Sequence, residues 1–110
     1  MVNKTIEKIE EKIRSNNSLT KNNKNELLDL LSKLKPEISK LSESQSEHAE
    51  SIAGFVERSA HEATRQQKNP TLLKIASDGL TESVKGFESP HPKLVETVNY
   101  IATALANIGL

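Results

Sequence analysis

The sequence predicts an all-α protein, an elongated helical bundle with coiled-coil-like seams and one long bent central helix. Three observations carry this. Apolar residues recur at alternating steps of four and three, the spacing of one helical face. Strand-like alternation of polar and apolar residues is absent from the sequence pattern. The stripes are interrupted at polar or proline corners, where helices end.

The first stripe is Val2, Ile6, Ile9 and Ile13, which places a short amphipathic helix over about residues 3–15. Three turns alone are marginal in water, so its isoleucines must dock on something. Glu10 and Arg14 are spaced for an ion pair one turn apart. The polar run Ser15 to Ser18 stops the helix, because short polar side chains compete for the backbone. Either Thr20 or Asn23 can cap the next helix, the latter with Glu26 as a loose capping box.

The central stripe runs Leu27, Leu31, Leu34, Ile38, Leu41 and resumes as Ala49, Ile52, Val56, Ala60, Ala63. One unbroken helix here would extend roughly 60 Å at ~1.5 Å per residue. Two interruptions compete with that reading. Pro36 lies on the path, and a proline inside a helix costs ~3 kcal/mol. Ser44 and Glu47 form a capping box that would start a new helix. The reading favoured by the seam is a long helix over 20–68, bent, with a break or hairpin inside 36–46 as the alternative.

Asn69-Pro70 ends this stretch, and Pro70 or Thr71 opens another helix with Leu73, Ala76, Leu80, Val84 and Phe87 on one face. Gly79 and Gly86 weaken that helix or let something approach closely. The corner Ser89-Pro-His-Pro92 precedes a last helix carrying Leu94, Val98, Ile101, Leu105 and Ile108. Gly109 is placed for a left-handed cap, with Leu110 folding back on it. The whole reads as a single helical domain over 1–110, divided into 1–18, 20–68 and a two-helix part over 71–110.

Composition narrows the function classes. Apolar residues are 35% of the chain and the aromatics are Phe55, Phe87 and Tyr100 only, a thin core for 110 residues. Leu, Ile, Val and Phe still total 28, too many for a disordered chain. Basic and acidic residues number 15 each, split nine and nine before Gly54-Phe55 closes the first half, then six and six. A nucleic-acid binder shows a basic face, and this balance predicts none. There is no cysteine, so disulfides, thiolate zinc sites and thiol catalysis are excluded. The start of the sequence does not read as a signal peptide, and no run nears the ~18 apolar residues of a membrane span. A cytoplasmic location is the expectation.

The second half contains Ser51-Ile-Ala-Gly-Phe55, Ser59-Ala-His-Glu-Ala-Thr-Arg65, Lys68-Asn-Pro70, Gly79-Leu80 and Ser83-Val84. Phe87-Glu88, His91-Pro92-x-Leu94, Val98-Asn99-x-Ile101 and Leu105-x-Asn-x-Gly109 follow. Together these pieces resemble a family of small bacterial proteins known as domain of unknown function 4404. The resemblance covers about the last 60 residues; Pro90 replaces the family's usual serine before His91, and the first half is similar only as a leucine-rich helix. The resemblance implies a helical bundle of unassigned activity and supplies no catalytic residues.

No constellation for chemistry emerges from the residues. His61-Glu62 begins like a zincin helix, but Arg65 stands where the second histidine must be, and a guanidinium does not ligate zinc. The plainer reading has Glu57 accepting from His61 and Arg65 reaching a neighbouring helix or subunit. His48 lies thirteen residues before His61, off its helical face, and His91 between two prolines is placed to cap the last helix. Ser59 near His61 lacks an acid to orient the imidazole. Gln45 and His48 on the seam would fix register between helices if the helix is continuous, and face water if it is broken.

The expected function is therefore a non-catalytic adaptor or assembly protein, forming a homodimer or tetramer and organising a larger protein complex into an oligomer or filament. The candidate interface is Leu27, Leu31, Leu34, Ile38, Leu41, Ile52, Phe55 and Val56. Candidate polar contacts are Gln45, His48, Glu57, His61, Arg65 and His91. No cofactor, metal, nucleic acid or membrane is expected. The alternative is a metal-binding or stress-related protein using His48, His61 and Glu57 across a dimer.

Overall fold

Five helices follow one another in a computed structural model that describes residues 2–109: α1 (Val2–Ser15), α2 (Lys21–Ser44), α3 (Ser46–Thr64), α4 (Pro70–Ser83) and α5 (Pro92–Gly109). The expected fold-back of Leu110 lies outside the described residues. Helix α3 is the hub and packs on all four others, whereas α1 touches only α2 and α3. The molecule measures 37 × 25 × 20 Å with a radius of gyration of 12.9 Å. A compact chain of this length has a radius near 13 Å, so the bundle is globular rather than elongated.

Helix α1 docks antiparallel along α2. Ile6, Ile9 and Ile13 are fully buried, which is what three isolated turns require. Between the two helices Lys35 Nζ reaches Glu10 Oε1 at 3.0 Å, and Ser39 Oγ donates to Asn3 Oδ1 at 3.1 Å. Glu10 is thus spent on α2, and Arg14 pairs instead with Glu11 at 3.5 Å. The stop after α1 is built by Asn16, whose Oδ1 accepts from the Ser18 and Leu19 backbone amides. Thr20 then caps α2 by accepting from the Asn23 amide at 3.1 Å.

The long central helix is two helices. Helix α2 continues past Pro36 without a break, and the break falls at Gln45 (φ −141°, ψ 65°). Burial decides between the two places. Leu31 and Leu34 before the proline, and Ile38 and Leu41 after it, are all 0–2% exposed. Packing on both sides offsets the ~3 kcal/mol a mid-helix proline costs. Around Gln45 nothing comparable holds the chain, since residues 43–48 all face solvent. Gln45 closes α2 through its amide to the Leu41 carbonyl (2.8 Å) and opens α3 through its carbonyl from Ala49 (3.0 Å). The capping box of Ser44 and Glu47 is not formed, because Ser44 is still in α2.

Asn69 caps α4 by accepting from the Leu72 amide at 3.1 Å, with Pro70 as first residue. The helix stops at Ser83, before the end of its apolar stripe. Val84 and Phe87 stay buried in the following turn, which needs the left-handed φ of +93° at Gly86. Gly109 has no such conformation; it is helical, and a side chain on it would meet Leu73 and the Ala63 backbone. Among the described residues no helix is long and apolar enough to cross a membrane.

Candidate functional site

Seven of the eight candidate interface residues are interior. Leu27, Leu31, Leu34, Ile38, Leu41, Ile52 and Val56 are 0–2% exposed, covered by the chain's own helices. The seams that argued for a second copy are consumed when α2 folds back on α3 and α1 and α5 close over both. Phe55 alone of the eight reaches the surface, at 39%.

The polar candidates do not converge. Gln45 is the exposed joint between α2 and α3. His48 sits two turns from Phe55, its Nε2 3.1 Å from the Ser83 carbonyl and its ring edge-on to Phe87 at 4.6 Å. His91 stands just before α5 and its carbonyl accepts from Val95; its ring lies 6.1 Å from Phe87. His48 and His91 thus flank one phenylalanine at the α4–α5 corner. Glu57, His61 and Arg65 lie further along α3, and among the described residues no three His, Asp or Glu side chains gather as metal ligands.

Glu62, not Glu57, is the acid that organises this part of α3. It is 5% exposed and accepts from Arg65 at 2.8 Å, while His61 approaches to 4.0 Å. The Arg65 hydrogen bond holds its carboxyl below the ordinary 4.5; burial opposes this, and the charges of Arg65, His61 and Arg58 reinforce it. Arg65 therefore stays on its own helix and does not reach a neighbouring one.

An apolar groove does form, between α3 and α4. Phe55, Arg58 and Glu62 line one wall and Leu72, Ile75 and Ala76 the other, enclosing ≈ 270 Å³. Leu72 is 40% exposed and Ile75 62%. The Phe55 ring lies over Gly79, where an added Cβ would stand 2.5 Å from the ring edge, so the glycine is what admits the ring. Leu72 and Ile75 carried no weight in the sequence reading because they fall off the buried stripe of α4. That was itself the signal: large apolar residues one turn apart on the polar side of an amphipathic helix. A second groove, between α2 and α5, is lined by Leu30 and Tyr100, the latter 60% exposed.

On the α1 side of α3 is a polar hollow of ≈ 310 Å³ lined by Lys12, Gly54, Glu57, Arg58 and His61. Arg58 borders both hollows. A Cβ on Gly54 would meet nothing within 4 Å, so the α3 backbone is bare to solvent there.

Among known protein families, the model described as Domain of unknown function (DUF4404) matches residues 29–110, reaching well into α2 beyond the motifs quoted above. No curated protein and no solved structure matches the chain.

Proposed function

The chain belongs to the family described as Domain of unknown function (DUF4404), a description that assigns no activity, and we propose that it is a non-catalytic adaptor that binds a segment of another protein in the α3–α4 groove and so helps to assemble a larger complex. The observation that carries this is the cluster of Phe55, Leu72 and Ile75, three large apolar side chains left 39–62% exposed around one groove. Large apolar side chains gathered around one groove are a surface of the kind that helix-in-groove recognition uses. Each of these side chains is held by the fold: Phe55 by the gap at Gly79, Leu72 and Ile75 by the capped first turns of α4.

Applied to side chains of the usual size, those exposures leave roughly 250 Å² of apolar area in the groove, the anchor for one segment of a partner within an interface of about 800 Å² per side. Site-specific photo-crosslinking in the native cell tests the reading. A crosslinker replacing Ile75 should capture one dominant larger protein, while the same crosslinker at Lys8, on the outer face of α1, should not. Equal capture at both positions, or capture only of a second copy of this chain, refutes it.

A further inference from the structure

The outer face of α5 is bare of charge. From Thr97 to Gly109 the helix carries no charged residue, in a chain that is 27% charged. Its exposed positions there are Asn99, Tyr100, Thr103 and Asn107, spaced along one side of the helix. The uncharged surface continues onto α4, because the ≈ 350 Å³ hollow that sets Ser77 and Thr81 beside α5 has no charged side chain in its lining. On its other side α5 meets α2 in the ≈ 370 Å³ hollow of Leu30 and Tyr100. Depletion of Lys, Asp and Glu around an exposed tyrosine is the composition of an interface core, whereas the solvated side of an amphipathic helix carries charge.

The charges that border this area belong to α2. Glu26 and Lys33 line the hollow four residues before and three after Leu30, ~10 Å apart on nearly the same face. Among the described residues Glu26 makes no ion pair. Lys33 pairs with Asp29 at 3.2 Å, with both side chains 65% exposed. An exposed pair of this kind is weak and readily exchanged. Asp29 itself precedes Leu30 by one residue, about 100° around the helix, so it stands on the rim away from α5.

We propose that the α2–α5 face is where a second copy of this chain docks, antiparallel, across a two-fold axis beside Leu30 and Thr103. A two-fold contact sets a patch against itself, so a border of one sign would repel its own image. Here the centre carries no charge, and the border reads acid, apolar, base. That order is its own complement: Glu26 of each copy comes opposite Lys33 of the other. Tyr100 gives each copy an aromatic anchor, and the short side chains of Thr103, Ala104 and Asn107 leave room for it on the other. The face shares no residue with the α3–α4 groove, so the dimer keeps two grooves open. Taken with the docking reading above, a partner offering two segments gains avidity from it.

Sedimentation velocity of the full chain, from micromolar to sub-millimolar concentration, tests this. The mass should rise from 12.2 kDa toward twice that. Thr103→Arg sets a charge beside the axis and should weaken the dimer at least about tenfold, with the helical circular dichroism unchanged. Glu26→Lys and Lys33→Glu should each weaken it as well, because each brings like charges together. Mixed with one another, these two variants should form a heterodimer, and the double variant should regain self-association. A mass of 12.2 kDa at every concentration overturns the proposal. So does a dimer that Thr103→Arg leaves intact, or a pair of charge variants that does not recover on mixing. A photo-crosslinker at position 103 in the native cell that captures only a different protein gives the face to that protein and also overturns it. In all these cases the docking reading for the α3–α4 groove still stands. A dimer broken by Ile75→Glu and not by Thr103→Arg overturns both, because it puts the second copy in that groove.

Discussion

Replacing Gly79 by alanine tests how the groove is built. In the interior of α4 the substitution should by itself stabilise the helix by about 1 kcal/mol, because alanine loses less backbone entropy than glycine. The new Cβ, however, would stand 2.5 and 2.9 Å from Phe55 Cε1 and Cδ1, so the ring must move. Phe55 is 39% exposed, which leaves about three fifths of a side chain of roughly 200 Å² covered. At ~25 cal/mol per Å², losing all of that contact costs about 3 kcal/mol, and a partial outward swing costs a fraction of it. Gly79→Ala should therefore be neutral to destabilising by about 2 kcal/mol in the natural chain. In a Phe55→Ala background, with the ring gone, it should stabilise by about 1 kcal/mol. Urea titrations of the four proteins, followed by helical circular dichroism, complete the cycle, and the coupling should exceed about 1 kcal/mol. If Gly79→Ala shifts stability equally in both backgrounds, the ring does not rest on that glycine and the account of the groove wall is wrong.

Other consequences can be checked on the same chain. Ser59 is fully buried and its Oγ has no hydrogen-bond partner among the described residues, so Ser59→Ala should be neutral or stabilise by up to about 1 kcal/mol in urea denaturation. Lys35→Met removes the partner of Glu10, which is 4% exposed, and should cost about 1–3 kcal/mol and speed amide exchange in α1 before the other helices. Glu62 has its carboxyl held below 4.5 by Arg65, so its ionised form stabilises the fold above that pH and the contribution fades as pH drops through the lower folded value. The stability difference between the natural chain and Glu62→Gln should accordingly be largest near neutrality and shrink below pH 4.5 in denaturation curves run across pH.

Periodicity made the helices legible because each buried stripe keeps a four-three spacing, and Leu27 through Leu41 and Leu94 through Leu105 lie where that spacing puts them. It could not tell a seam facing a second copy from one facing the same chain. That depends on a single exposed joint at Gln45, whose conformation no stripe records. Proline was a poor guide to the break, since Pro36 is overridden by burial on both sides while the polar run at 42–48 is not. The groove was half legible. Phe55 belongs to the candidate interface, whereas Leu72 and Ile75, off the buried stripe, carry no periodic signal. Spacing points to Glu57 rather than Glu62 because positions along one helix cannot say which carboxylate a neighbouring helix covers.

Helix α1 has a practical consequence for anyone who trims this chain. The family match begins at Asp29, two turns inside α2, so cutting there removes the Thr20 cap along with α1. The greasy trough vacated by Ile6, Ile9 and Ile13 would then lie open along the α2–α3 pair, and Glu10 would no longer answer Lys35. Such a fragment would be sticky for reasons of surgery rather than biology. Any partner it captured would have to be tested again with the amino-terminal helix restored.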